Sequence, residues 1–187
     1  MLRRRRARAA GPPIEELTGR WREPVARAVA ARDRYREVVA RTPGGPLRAR
    51  LEELSAQLDL GVEQAWRTAA RAQETERTLA GIALDSVGAR LKDARRRAAR
   101  LPPGSAERAS ADAEVALLAE QFSSLNRLHN GLDATADELR RVELRLETAL
   151  ARAAELALGT NPQADAALDA VLADLGALRA ALEELGR

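Results

Sequence analysis

The chain has 187 residues, 45% of them hydrophobic and 32% charged, with a formal net charge of +3. It contains no cysteine, which excludes disulfides, thiolate catalysis and cysteine-ligated metals. Aromatic residues make up only 2%, so alanine and leucine supply most of the apolar mass, the composition of long helices and coiled coils rather than of sheets.

Strand formers are scarce: Ile14 and Ile82 are the only isoleucines. An all-α fold follows. Lys92 is the only lysine, so arginine carries nearly all the positive charge, as expected of a GC-rich genome. With a near-neutral balance, only a local cluster can bind polyanions. No run of about 18 apolar residues is present, so no transmembrane helix is expected. The basic N-terminus is not followed by an apolar stretch and does not read as a secretory signal. A cytoplasmic location is the resulting expectation.

Residues 1–13 carry Arg3, Arg4, Arg5, Arg6 and Arg8 and end at Gly11-Pro12-Pro13. Like-charge repulsion and the Gly-Pro-Pro break predict a disordered arm. These five arginines are the candidate polyanion-binding residues, for acidic lipid or nucleic-acid phosphates. The run fits an upstream start site in a GC-rich gene equally well. No aromatic residue interleaves with it, so base stacking is not indicated.

Residues 14–187 read as one helical domain. The first helix is predicted over 20–41, with apolar Trp21, Val25, Ala28, Val29, Tyr35, Val38 and Val39 at helical spacing. Pro24 is placed in its first turn. Thr42-Pro43-Gly44-Gly45-Pro46 ends it. A second helix is predicted without interruption from Leu47 to Leu101, its seam running through Leu51, Leu54, Leu58, Val62, Ala65, Ala69, Ala72, Leu79, Ile82, Leu91, Ala94 and Ala98. Pro102-Pro103-Gly104 breaks the chain. A third helix begins after Ser105, a predicted N-cap, and carries Val115, Leu118, Phe122, Leu125, Leu132, Leu139, Val142, Leu146, Leu150 and Ala153 on its seam. Gly159 is placed at its end, and a fourth helix follows with Leu168, Leu172, Leu175, Leu178, Leu182 and Leu185.

Lengths decide the predicted topology. At ~1.5 Å per residue, the two central helices are ~80 Å long and the outer two only ~33–38 Å. Short loops make successive helices antiparallel neighbours. The expected architecture is a long antiparallel helical hairpin, with the two shorter helices making a four-helix bundle at one end. The bundle comprises 20–72 and 133–186. A two-helix stalk comprises 73–132, with its tip at 102–104. Trp21 and Trp66 are expected to be core anchors in one layer with Leu139 and Leu182.

Catalytic patterns are missing: there is no phosphate loop with its lysine, no G-x-S-x-G and no H-E-x-x-H. No enzyme activity, cofactor, metal or small-molecule substrate is expected. His129 is the only histidine, too few for a metal site, and Asn130-Gly131 beside it reads as local helix weakening. Gly81 and Gly88, seven residues apart, are expected on one face of the second helix. With off-seam Leu84 and Leu117 they form the candidate contact for a partner helix, against the plainer reading of tolerated glycines. Arg95, Arg96, Arg97, Arg100 and Arg108 cluster at the predicted tip, among Asp93, Glu107 and Asp112. They are a candidate anion contact or, more plainly, a solvated charged end.

Arg20-Trp21-Arg22-Glu23-Pro24-Val25, the 43–47 turn and Val62-Glu63-Gln64-Ala65-Trp66 together resemble uncharacterised helical proteins of high-GC Gram-positive bacteria. That resemblance implies no activity. The long hairpin is also similar in architecture to phage-shock-protein A and related membrane-remodelling proteins. It departs from them in lacking an amphipathic membrane helix after the arginine run. The function expected is that of a coiled-coil interaction or scaffold protein, with a protein partner and a homodimer formed through the stalk. The alternative is a peripheral polyanion-binding module that uses the arginine arm on an acidic membrane surface or nucleic acid.

Overall fold

The structure, a computed structural model, describes residues 12–157 and six further helical positions between 166 and 180. Among the described residues the elements are a short 3-10 turn (Ile14–Glu16) and helices α1 (Gly19–Arg41), α2 (Pro46–Leu79), α3 (Leu84–Arg100) and α4 (Ala106–Ala157). The protein is all-α. The chain divides into two compact units, one formed by 1–73 and 135–187 and the other by 74–134.

The first unit holds the larger side chains in a helical bundle. In α1 the buried residues Trp21, Val25, Ala28, Ala31, Tyr35 and Val39 recur every three or four positions, one face of a helix. In α2 the buried row is Leu51, Leu54, Leu58, Val62, Ala65, Ala69 and Ala72. From α4 come Ala136, Leu139, Val142, Leu146, Ala149, Ala153 and Leu156, while Leu150 is half-buried. The turn between α1 and α2 follows its residues: Thr42 caps α1, Gly45 takes φ 153°, and Pro46 opens α2, where a missing N–H costs little. Arg36 bonds both oxygens of Asp59 at 2.7 Å, and the Tyr35 hydroxyl donates to the Leu51 carbonyl at 3.2 Å, tying α1 to α2. Arg27 on α1 pairs at 2.9 Å with buried Glu143 on α4.

Two expectations change in this unit. Helix α1 begins at Gly19, behind an extended Thr18, so Pro24 lies in the second turn rather than the first. Trp21 is 1% exposed and is a core anchor. Trp66 is only half-buried, and its indole N–H donates to the Pro13 carbonyl at 3.2 Å. The layer that places Trp66 in the core beside Trp21 is therefore corrected: Trp66 lies under the segment that precedes α1. The predicted fourth helix, its leucines and the Gly159 end of the third lie outside the described residues, apart from exposed helical positions such as Ala170 and Ala173.

The second unit contains the end of α2, all of α3 and the first part of α4. Leu91, Ala94 and Leu118 form its centre, with Val115, Ala119 and Phe122 packed against them. The Arg97–Glu114 pair and the seating of Phe122 against Gly88 run in opposite directions along the two helices, an antiparallel register. Gly104, at φ 80°, makes the turn at Pro102-Pro103, in a region that favours glycine. The Ser105 hydroxyl then accepts the Arg108 main-chain N–H at 3.1 Å, capping α4.

The uninterrupted second helix does not form. Residues 80–83 leave the helix, and the Ile82 N–H bonds the Leu79 carbonyl at 2.8 Å. Glycine costs about 1 kcal/mol relative to alanine in a helix. At Ala80, Gly81, Ile82 and Ala83 every side chain is exposed, so no burial offsets that loss. The phase shifts as a result: Val87, not Ile82, follows Leu79 into the buried row. Helix α4, by contrast, continues through Asn130-Gly131 unbroken.

Candidate interaction face

A helix that packs on one neighbour buries one stripe and leaves the rest wet. In the second unit the α4 stripe is Leu118, Leu125 and Leu132, with Val115 and Phe122 partly covered. Outside that stripe lie Leu117, 69% exposed, and Leu128, 46% exposed. Between them on the same side are Gln121 and Ser124, so the spacing along the face is four, three and four residues. Ile82, in the interruption between α2 and α3, is also exposed. Leu60 and Leu144 in the first unit are exposed singly, which is ordinary for a soluble surface.

Charge flanks this face. Glu120 and Arg127 are both exposed and lie one heptad apart on α4. Arg127 donates to the hydroxyls of Ser123 and Ser124 at 3.1 Å, and no carboxylate pairs with it among the described residues. Glu120 has no cation partner among them.

The predicted partner-helix contact is only partly assembled. Gly81 lies in the interruption, so it shares no helix face with Gly88, a correction to the expected glycine pair. A Cβ on Gly88 would lie 3.1 Å from Cε2 of Phe122: the close approach that glycine permits there is filled from within the unit. Leu84 is half-buried at the start of α3. Of the four residues, Leu117 is the one that presents a large exposed apolar side chain. Sequence reading passed over Leu128 as one more leucine of a long helix. Its signal was the mirror-like spacing of positions 117, 121, 124 and 128.

The predicted tip cluster is largely engaged with acids. Arg97 holds Glu114 at 2.8 Å, Arg108 holds Asp112 at 2.9 Å, and Arg96 approaches Asp93 at 3.8 Å. Arg95 and Arg100 are exposed and have no acidic partner among the described residues. Exposed pairs of this kind contribute at most about 1 kcal/mol each. The arginine arm Arg3, Arg4, Arg5, Arg6 and Arg8 lies outside the described residues. His129 is half-buried in α4, and no group of metal-ligating side chains occurs among the described residues.

A second polar constellation was not legible in the sequence. The carboxamide of buried Gln73 accepts the Thr18 N–H at 2.6 Å and the Thr18 hydroxyl at 2.9 Å, and donates to the Glu16 carbonyl at 2.9 Å. Trp66 and Gln73 are seven residues apart on α2, hence on one face, and together they hold residues 13–18 along it. Leu17, 1% exposed, is the apolar anchor of that segment.

No described helix is long and apolar enough to cross a membrane. Comparison with known protein families, curated proteins and solved structures finds no match.

Proposed function

We propose that this chain is a non-enzymatic helical scaffold, acting in the cytoplasm, that associates with a second copy of itself through residues 74–134. The observation that carries this reading is the exposure of Leu117, Leu128 and Ile82 within a unit whose own core is centred on Leu91, Ala94 and Leu118. An apolar surface that its own unit leaves wet gains most when a partner covers it. The buried polar side chains support a structural role. Gln73 holds the segment before α1, Glu143 holds Arg27, Arg141 pairs with Glu138, and Arg32 bonds Asp33 at 2.7 Å.

Sedimentation equilibrium of the full chain over a wide concentration range tests the reading. A mass rising from monomer towards dimer is expected. A monomer mass at every concentration contradicts it.

A further inference from the structure

The contact that joins two copies has a definite geometry, and its derivation rests on the self-association reading above. We infer that two α4 helices cross about a twofold axis lying between Gln121 and Ser124, antiparallel, so that Leu117 of each copy packs on Leu128 of the other.

Spacing along α4 places the contact. Positions 117, 121, 124 and 128 share one side of α4 and are separated by four, three and four residues. That pattern reads the same in both directions. A twofold axis through its centre brings leucine onto leucine at each end and sets Gln121 against Ser124 in the middle. In such an isologous contact residue i meets j while j meets i. A parallel twofold pairing, which sets each side chain beside its own copy, would also stack leucine on leucine, so spacing places the contact and leaves its direction to be set by charge.

Charge selects the direction. Glu120 and Arg127 flank the face one heptad apart and are not paired with each other. The same axis brings Glu120 of one copy within two residues' rise, about 3 Å, of level with Arg127 of the other, and the reverse, close enough for long side chains to make two ion pairs from groups that lack an oppositely charged partner among the described residues. Parallel twofold pairing would send this flank to opposite sides of the interface in the two copies, and neither ion pair would form.

Size sets the strength. A crossing limited to residues 117–128 covers about three helical turns. That is smaller than the ~1,200–2,000 Å² of a standard stable interface. The dimer is therefore concentration-dependent, with a leucine pair at each end of the crossing, Gln121 and Ser124 between them and the ion pairs at its rim.

Sedimentation of the full-length chain and its variants tests this, with circular dichroism confirming that each stays helical. Combined Leu117→Glu and Leu128→Glu should weaken the dimer at least about tenfold, as buried carboxylates replace the apolar anchors. Glu120→Arg alone and Arg127→Glu alone should each weaken it, and the two together should restore it, since the swapped charges again meet opposites. If the wild type dimerises but the leucine variants leave it intact, or the double swap is no tighter than the single variants, this face and orientation are wrong while self-association stands. A wild type that stays monomeric removes both.

Discussion

Gln73 and Thr18, separated by 55 positions in the chain, are joined twice: the glutamine carboxamide oxygen accepts both the Thr18 main-chain N–H and its hydroxyl. The other end of the same carboxamide donates to Glu16. One side chain thus satisfies a donor and an acceptor of irregular backbone that would otherwise lie partly buried without partners. Replacing Gln73 by leucine keeps much of the volume and removes every bond. A loss of about 2–3 kcal/mol is expected, since two backbone groups and the Thr18 hydroxyl lose their partner at once. Urea unfolding measures the loss, and amide exchange of residues 14–18 should accelerate more than that of Leu54 or Leu58.

The two tryptophans should differ in energetic weight. Trp21 is fully buried in the bundle core, and Trp21→Ala is expected to cost ~3–5 kcal/mol. Trp66 is half-buried and gives its N–H to Pro13, so Trp66→Ala should cost less, about 2 kcal/mol from partial burial and one hydrogen bond. Equilibrium denaturation of both variants gives the order, and an equal or larger cost at Trp66 would contradict the structure.

Both the legible and the illegible parts of the fold have physical reasons. The seams of α1, α2 and α4 could be read because leucine, valine and tryptophan recur at steps of three and four, a signal local to each helix. The turn at 42–46, the tip at 102–104 and the Ser105 cap could be read because proline, glycine and serine act on their own backbone. The interruption at 80–83 could not. A single glycine costs too little to end a helix, and the missing burial of Ile82 depends on packing. The clasp on residues 13–18 was hidden for a related reason: nothing near Gln73 in the chain indicates a partner 55 positions away. The candidate face was half legible, Leu117 by being off-seam, Leu128 only through its spacing.

The single tyrosine provides an alkaline probe. Burial pushes the Tyr35 phenol well above its ordinary value. A folded-state pKa raised above the unfolded one gives stability that is complete below about pH 10 and is lost as pH rises beyond it, because the unfolded chain releases the proton first. Tyrosinate absorbance should therefore appear together with unfolding rather than before it. Tyr35→Phe should lose about 1 kcal/mol at neutral pH with the bond to Leu51 and should flatten the alkaline decline. A native-state phenol titrating near pH 10 would contradict its burial.

Gly88 and Phe122 should be coupled. Alanine at position 88 gains about 1 kcal/mol in helix propensity, but its methyl group meets the Phe122 ring, which must shift. The stabilisation from Gly88→Ala should thus be larger in a Phe122→Leu background than in the wild type. A double-mutant cycle by thermal or urea unfolding measures the difference, and strict additivity would show that the ring moves aside freely.

The cysteine-free chain permits a direct measurement of antiparallel pairing through the exposed face of α4. Single cysteines are placed at Leu117 or at Leu128, and disulfide formation is followed in each variant alone and in an equal mixture. A disulfide requires Cα atoms within about 7 Å. In the antiparallel crossing, position 117 meets position 128 of the other copy, whereas the two 117 positions are roughly 16 Å apart along the helix axis, the length of three helical turns. Cross-linking should be rapid in the mixture, confined to the mixed 117–128 product, and slight in either variant alone. Rapid cross-linking of either variant with itself, or none in the mixture under conditions where the protein sediments as a dimer, would contradict antiparallel pairing.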